Sequence, residues 1–173
     1  MLHPLIKIIS VDDFIVREEA ERLGHTISFL NFQEFEFGKQ VPDFKMVPED
    51  IEERFKIVLD TDFTIDRENS GSFIHPYSFI HFESFANINQ WVFIVALERT
   101  LFNIYENVKG YKTALEEHKL NYRNFHEWDL IVSYDFKPGQ GVLFRPWLFH
   151  SFSGGLIQKF ILEEKNAGRI SNS

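Results

Sequence analysis

The 173-residue sequence contains no cysteine, which excludes disulfides, thiolate metal sites and a cysteine nucleophile, and leaves the redox compartment open. Basic side chains are also in short supply: 18 Lys and Arg stand against 26 Asp and Glu, a formal net charge of −8. Without a basic cluster the chain has no electrostatic footing on a phosphate backbone, so nucleic acid bound by charge is not expected as a partner. No apolar run approaches the roughly 18 residues that span a bilayer, and the start Met1-Leu2-His3-Pro4 lacks the charged and apolar segments of a signal peptide. A soluble, cytoplasmic protein without membrane contact is the expectation. A phosphate-cradling glycine loop, a nucleophile elbow and a Ser-His-Asp order are absent too.

What the chain has in abundance is phenylalanine, 20 residues, which points to a thick aromatic core. The length suits one domain over 1–173, with a helical N-terminal part at about 11–60, a β core at about 72–162 and a frayed tail at 163–173. In the first part Val16, Ala20, Leu23, Ile27 and Leu30 recur at alternating four- and three-residue steps. One helical stripe therefore packs inward, with Asp12 or Asp13 as cap. A second helix follows Pro48, with Glu49 and Asp50 at the positive end of its dipole and Ile51, Phe55 and Val58-Leu59 on its apolar face. Between them Phe35-Glu36-Phe37 predicts a short strand ended by Gly38. Glu52-Glu53 reads as an exposed face.

From about Ser72 short runs of Phe, Ile and Val replace the helical period. They predict strands at 73–83, 91–97, 100–105, 130–136, 141–145 and 156–162, with Glu98-Arg99 as a tight hairpin turn. The polar segment 107–129, with a helical turn at 113–118 and two solvated histidines, His118 and His126, is too long for a simple loop. Insertions of this kind carry substrate contacts or lids. Helices first and strands after, the late strands apolar on both faces, predict a mainly β fold: a double-sheet jelly roll backed by N-terminal helices.

Two stretches carry chemistry. In His81-Phe82-Glu83 the alternation of a strand sends His81 and Glu83 to one face, together with Tyr77 and Phe79. An imidazole and a carboxylate so placed can chelate one ion; the competing reading is a surface pair that only hydrogen-bonds. The second stretch runs from Gly141 through Arg145-Pro146-Trp147 to His150 and on to Leu156-Ile-Gln-Lys159-Phe-Ile-Leu162. Two histidines and one carboxylate leave adjacent coordination positions open, an arrangement suited to non-haem Fe(II). Lys159 shares a strand face with Ile157 and Ile161, where a buried ammonium needs an anion; if the parity is reversed, Gln158 and Phe160 face inward and Lys159 meets water. Arg145 is read as a salt-bridging residue or a contact for an acidic substrate, Trp147 as core or pocket wall, and His75 as a rim residue.

These residues bring a family into view. His81-x-Glu83, the Pro-Gly-x-Gly141-Val-Leu-Phe-Arg-Pro turn leading to His150, and a basic residue nine positions later resemble the Fe(II)/2-oxoglutarate-dependent dioxygenases, especially the prolyl-hydroxylase-like group of the double-stranded β-helix (cupin) superfamily. The resemblance covers about 72–162. It implies a double-stranded β-helix in which His81, Glu83 and His150 hold Fe(II), Lys159 grips the distal carboxylate of 2-oxoglutarate, and a C–H bond of a small-molecule or peptide substrate is hydroxylated. Glu83 departs from the family's usual Asp. The tyrosine often found on the following strand is replaced by Val95-Ala96-Leu97, so Tyr77, Asn103 or Tyr105 would take its place at the cosubstrate, while Arg145 and Trp147 are the substrate candidates. The alternatives are a cupin-like metal or small-ligand binder without 2-oxoglutarate chemistry, and a noncatalytic jelly-roll interaction protein.

Overall fold

The computed structural model describes residues 8–35, 38–41, 50–74 and 79–165. Strand β1 (Ile8–Val11) leads into α1 (Arg17–Ser28), the hairpin of β2 (Gln33–Phe35) and β3 (Gly38–Val41), and α2 (Ile51–Leu59). Seven further strands follow: β4 (Phe63–Ile74), β5 (Gln90–Ala96), β6 (Thr100–Asn107), β7 (Trp128–Phe136), β8 (Gly141–Phe144), β9 (His150–Gly154) and β10 (Leu156–Glu164). They form two antiparallel sheets, one ordered β1-β8-β5-β10-β4-β3-β2 and the other β7-β6-β9. An isolated bridge between His81 and His150 extends the smaller sheet beyond β9.

From β4 onward the chain passes repeatedly between the sheets: β4 in the large one, the His81 bridge in the small one, β5 back in the large, β6 and β7 in the small, β8 large, β9 small, β10 large. This winding is the double-stranded β-helix. Strands such as β5 read as unbroken apolar runs because both their faces are covered. Val92 and Ile94 face the small sheet, with Phe102, Ile104, Phe144 and Phe152 in the same core. Trp91, Phe93 and Val95 face the helices, against Ala20, Ile27, Ile51 and Phe55. Phe55 joins the two layers, its ring centroid 5.1 Å from Phe93 and 5.4 Å from Phe160. Among the described residues no helix is long and apolar enough to cross a membrane.

Several local expectations are corrected. Helix α1 begins one turn beyond Asp12 and Asp13, with Val16 at the N-cap and no side-chain cap; Glu18 and Glu19 in the first turn still complement the dipole. On α2 the buried face is Ile51 and Phe55, while Val58 is 38% exposed. Pro48, Glu49, Glu36 and Phe37 lie outside the described residues. Glu98-Arg99 is no hairpin: β5 and β6 belong to different sheets, and this corner carries the chain across the sandwich. Of the strand expected at 73–83, Phe73 and Ile74 belong to β4, residues 75–78 lie outside the described residues, and of residues 79–85 only His81 makes a bridge. The polar insertion contains a turn at Thr113, whose carbonyl accepts from Glu116, and a short 3-10 helix at Phe125–Glu127. It is pinned at Ala114, whose N–H donates to Trp147 O at 2.8 Å, and by Tyr122 stacked on Trp128.

Strand β4 escapes the sequence pattern because Thr64-Ile-Asp-Arg-Glu-Asn69 alternates poorly. It pairs with β10 in two sections, Asp66 opposite Ile161 and Gly71 opposite Lys159, so residues 67–70 bulge out against Phe160 alone. The Ser70 hydroxyl mends the ladder there, donating to Asp66 O and accepting the buried N–H of Ile161 at 3.0 Å. The turn before β8 depends on Gly139, at φ +93°, where a Cβ would overlap the Ile15 carbonyl. Its own carbonyl accepts from Phe14 N–H at 3.1 Å, tying the start of α1 to the β core.

Candidate metal centre

The backbones of His81 and His150 exchange two hydrogen bonds of 2.9 Å, N–H of each to the carbonyl of the other. This narrow antiparallel pair sets the imidazoles side by side, ring centroids 4.4 Å apart. Glu83, two residues on, is held by its N–H donating to Pro146 O at 2.8 Å. One donor atom from each of His81, Glu83 and His150 lies within 4.8 Å of the others.

Both rings are oriented by the same device. His81 Nδ1 lies 2.9 Å from Phe79 O, and His150 Nδ1 lies 2.6 Å from Leu148 O. A carbonyl only accepts, so each Nδ1 carries a proton and each ring turns its Nε2 toward Glu83. Those two Nε2 atoms stand 3.5 and 3.6 Å from Glu83 Oε1. Donors about 2.0–2.2 Å from one shared cation stand roughly 3–3.6 Å apart, so both Nε2–Oε1 spacings suit a single ion, and the whole set lies within 4.8 Å. His150 is fully buried among Phe102, Phe144 and Phe152, and its Nε2 has no hydrogen-bond partner. A buried acceptor left unpaired in an aromatic box is a cost that a metal ion would remove. The nitrogen and oxygen donor set fits Fe(II) or a similar divalent ion.

Electrostatics prepares the same state. Burial, helped by the neighbouring His81, pushes the His150 imidazolium down to about 4 against the opposing pull of Glu83, so its lone pair is available at neutral pH. Burial works against ionisation of Glu83, yet the Lys159 ammonium, then His150 and His81, hold its carboxyl well below the usual range. Lys159 Nζ lies 3.0 Å from both carboxylate oxygens and 4.3 Å from the centroid of the Phe73 ring. Its side chain faces the sandwich interior with Ile157 and Ile161, the parity expected from the sequence. The ammonium thus has its anion inside the site itself, and not only in an incoming ligand.

The remaining candidates are dispersed. Tyr105 meets Ser151 Oγ at 3.1 Å, one residue from His150 and outside the ligand cluster. The Arg145 guanidinium lies 3.4 Å from the Trp91 ring centroid and donates to Ile88 O and Gln90 O, which commits it to holding the chain before β5. Trp147 is buried and meets Phe85 edge-on at 5.5 Å. Asn103 is half-buried on β6. Tyr77 and His75 lie outside the described residues. Beside Glu83 and Lys159 opens a cleft of about 650 Å³, walled by the β4 bulge, Phe35, Phe73 and Phe85; a second of about 510 Å³ lies between 79–82 and 120–123. Sequence reasoning missed the first cleft because β4 itself was not visible; the one signal was Phe73 beside two serines and a glycine.

No family model matches the chain, and no curated protein matches it. Solved structures do. HygX from Streptomyces hygroscopicus, with nickel and 2-oxoglutarate bound, superimposes with a TM-score of 0.60 over 94% of this chain and 84% of that one, at 9% identity. EctD from S. alaskensis, with 2-oxoglutarate and 5-hydroxyectoine, gives 0.54 over 92% and 72%, at 12% identity. Its apoform gives 0.51 at 11% identity, covering 92% and 73%. The shared property is the fold. A double-stranded β-helix backed by helices carries the His81, Glu83 and His150 cluster.

Proposed function

We propose that the protein is an Fe(II)- and 2-oxoglutarate-dependent dioxygenase that hydroxylates a C–H bond of a small-molecule or peptide substrate. The observation that carries this reading is the buried, unpartnered Nε2 of His150 facing a second imidazole and an ionised carboxylate. Neighbours of the same fold that bind nickel or 2-oxoglutarate support it. His81, Glu83 and His150 would hold the metal, which when bound supplies dioxygen activation coupled to decarboxylation of 2-oxoglutarate. Phe102, Phe144 and Phe152 keep water from the His150 side, and the Nδ1–H bonds to Phe79 O and Leu148 O fix the orientation of both rings. Lys159 would take the distal carboxylate of 2-oxoglutarate, as the family resemblance implies; to do so it would turn from Glu83, whose negative charge would then be left to the metal it helps to hold. Anaerobic titration with Fe(II) followed by 2-oxoglutarate, read as thermal stabilisation, tests the assignment, and succinate release in air tests turnover.

A second reading has its own observation. Lys159 is already paired with Glu83, as a structural cation would be, and this favours a cupin-like metal binder without 2-oxoglutarate chemistry. It predicts stabilisation by divalent metal and no further response to 2-oxoglutarate.

A further inference from the structure

The cleft beside Glu83 sorts charge by sign. Its walls carry Asp66 and Glu68 from the β4 bulge in addition to Glu83. Asp66 accepts from the backbone and side chain of Asn69, which stiffens the bulge. Glu68 is exposed and, among the described residues, makes no ion pair. The cations nearby are committed elsewhere. Arg67, between the two acids, reaches to Glu52 on α2 at 3.3 Å; Lys159 is tied to Glu83; Arg145 is clamped on Trp91. The rings of Phe35, Phe73 and Phe85 line the same space, Phe35 and Phe73 edge to face at 5.9 Å. Glu83, on the cleft wall, also stands 3.6 Å from the fully buried Nε2 of His150, which does not itself line the cleft. The cleft volume of about 650 Å³ falls in the range of about 300–1,000 Å³ common for small-molecule sites.

Carboxylates with aromatic faces, and among the described lining residues no cation other than the Lys159 paired with Glu83, favour a positively charged guest at the bulge, because the acids supply Coulomb attraction and the ring faces add cation–π attraction. An anionic guest meets repulsion at Asp66 and Glu68, whereas the Lys159 end of the cleft is where 2-oxoglutarate would lie on the dioxygenase reading. We propose that this cleft binds a cationic substrate, an amine or guanidinium compound, with its charged group at Glu68 and Asp66 and its reacting carbon toward the His81, Glu83 and His150 cluster. The proposal rests on the dioxygenase reading for the word substrate, but the cation preference stands on the cleft alone.

The test compares three probes on one frame, phenethylammonium, 2-phenylethanol and phenylacetate, by calorimetry on the full chain, metal-free and with Fe(II) and 2-oxoglutarate under anaerobic conditions. The ammonium is expected to bind about tenfold tighter than the alcohol and phenylacetate weakest of all, with the preference shrinking as salt rises. Glu68→Gln, on an exposed side chain that the fold does not need, should bring ammonium and alcohol within roughly threefold. Phenylacetate binding as tightly as the ammonium, an unchanged preference in Glu68→Gln, or no saturable ammonium binding would overturn the proposal. The same samples report metal and 2-oxoglutarate stabilisation separately. Cation preference without it would retain the cleft and remove the dioxygenase reading, whereas stabilisation without cation preference would remove only the cleft's assignment.

Discussion

Lys159 Nζ sits 3.0 Å from both oxygens of Glu83, so one candidate metal ligand is already neutralised by an internal cation. The ammonium and a divalent ion compete for the same carboxylate, and each would repel the other. Removing one member of a buried pair costs about 3–5 kcal/mol; side-chain exposures of 9% and 14% for Lys159 and Glu83 place this pair at the lower end. Lys159→Met is therefore expected to lower the metal-free melting temperature by roughly 6–10 °C. Divalent metal should then stabilise the variant more than the parent, since nothing competes for Glu83. Thermal unfolding with and without metal checks both, and an equal or smaller metal response in the variant would show that Lys159 assists the ion. On the dioxygenase reading the variant also loses its response to 2-oxoglutarate.

His150 is packed as though it were a phenylalanine, between Phe144 at 4.8 Å and Phe152 at 5.0 Å. His150→Phe keeps most of the volume and removes the unpartnered Nε2, at the expense of the hydrogen bond to Leu148 O. The gain and the loss are each of order 1 kcal/mol, so metal-free stability should change by no more than about that amount while metal stabilisation disappears. Chemical denaturation and metal titration of the variant separate the two effects. Destabilisation of several kcal/mol would make the imidazole a structural group first.

Acid sensitivity follows from the same residue. His150 titrates at about 4 when folded and near its ordinary 6.5 when unfolded, so between those values the unfolded chain binds the extra proton. No penalty exists above pH 6.5, and stability falls as pH drops through 6.5 toward 4, by about 3 kcal/mol over the full window. Glu83 acts in the same direction at still lower pH, because its folded carboxyl is held below the usual range and protonates only after the unfolded one. Metal-free protein should therefore be measurably less stable at pH 5 than at pH 7.5 in urea titrations. His150→Phe should remove most of that difference between pH 6.5 and 5.

The legible parts of this molecule were those where covalent order and spatial order coincide. The i, i+2 spacing of His81 and Glu83 places both on one side of an extended segment whether or not a full strand forms, which is why the pair survives the loss of the expected strand at 79–83. Strands β5, β8 and β10 showed themselves because two apolar layers cover them. Pairings set by the other sheet were hidden. The Glu98-Arg99 corner has the composition of a hairpin, and only the partners of β5 and β6 reveal a crossover. β9 hid for a similar reason: Ser151, Ser153 and Gly154 dilute its pattern, and it is the bond to β6 that makes it a strand. The anion for Lys159 lies far back in sequence, on a loop whose position depends on Pro146 O.

The bulge that shapes the cleft hangs on one hydroxyl. Ser70 Oγ accepts the N–H of Ile161, which the interrupted β4 ladder would otherwise leave buried and unbonded, and it donates to Asp66 O at the other side of the bulge. Ser70→Ala removes both bonds, and an unsatisfied buried donor costs about 1–3 kcal/mol. The serine is 2% exposed, so water has little access to replace the hydroxyl. The variant should lose roughly 2 kcal/mol of stability, and the Ile161 amide should exchange hydrogen faster than its neighbours in β10, because opening there no longer breaks a bond. Since Asp66 and Glu68 sit on the loop that Ser70 closes, ammonium binding in the cleft should weaken while metal binding at His81, Glu83 and His150 stays close to that of the parent. Unchanged Ile161 exchange together with unchanged stability would show that the backbone re-pairs without the hydroxyl, and would leave Phe160 and its neighbours, not Ser70, as what sets the bulge.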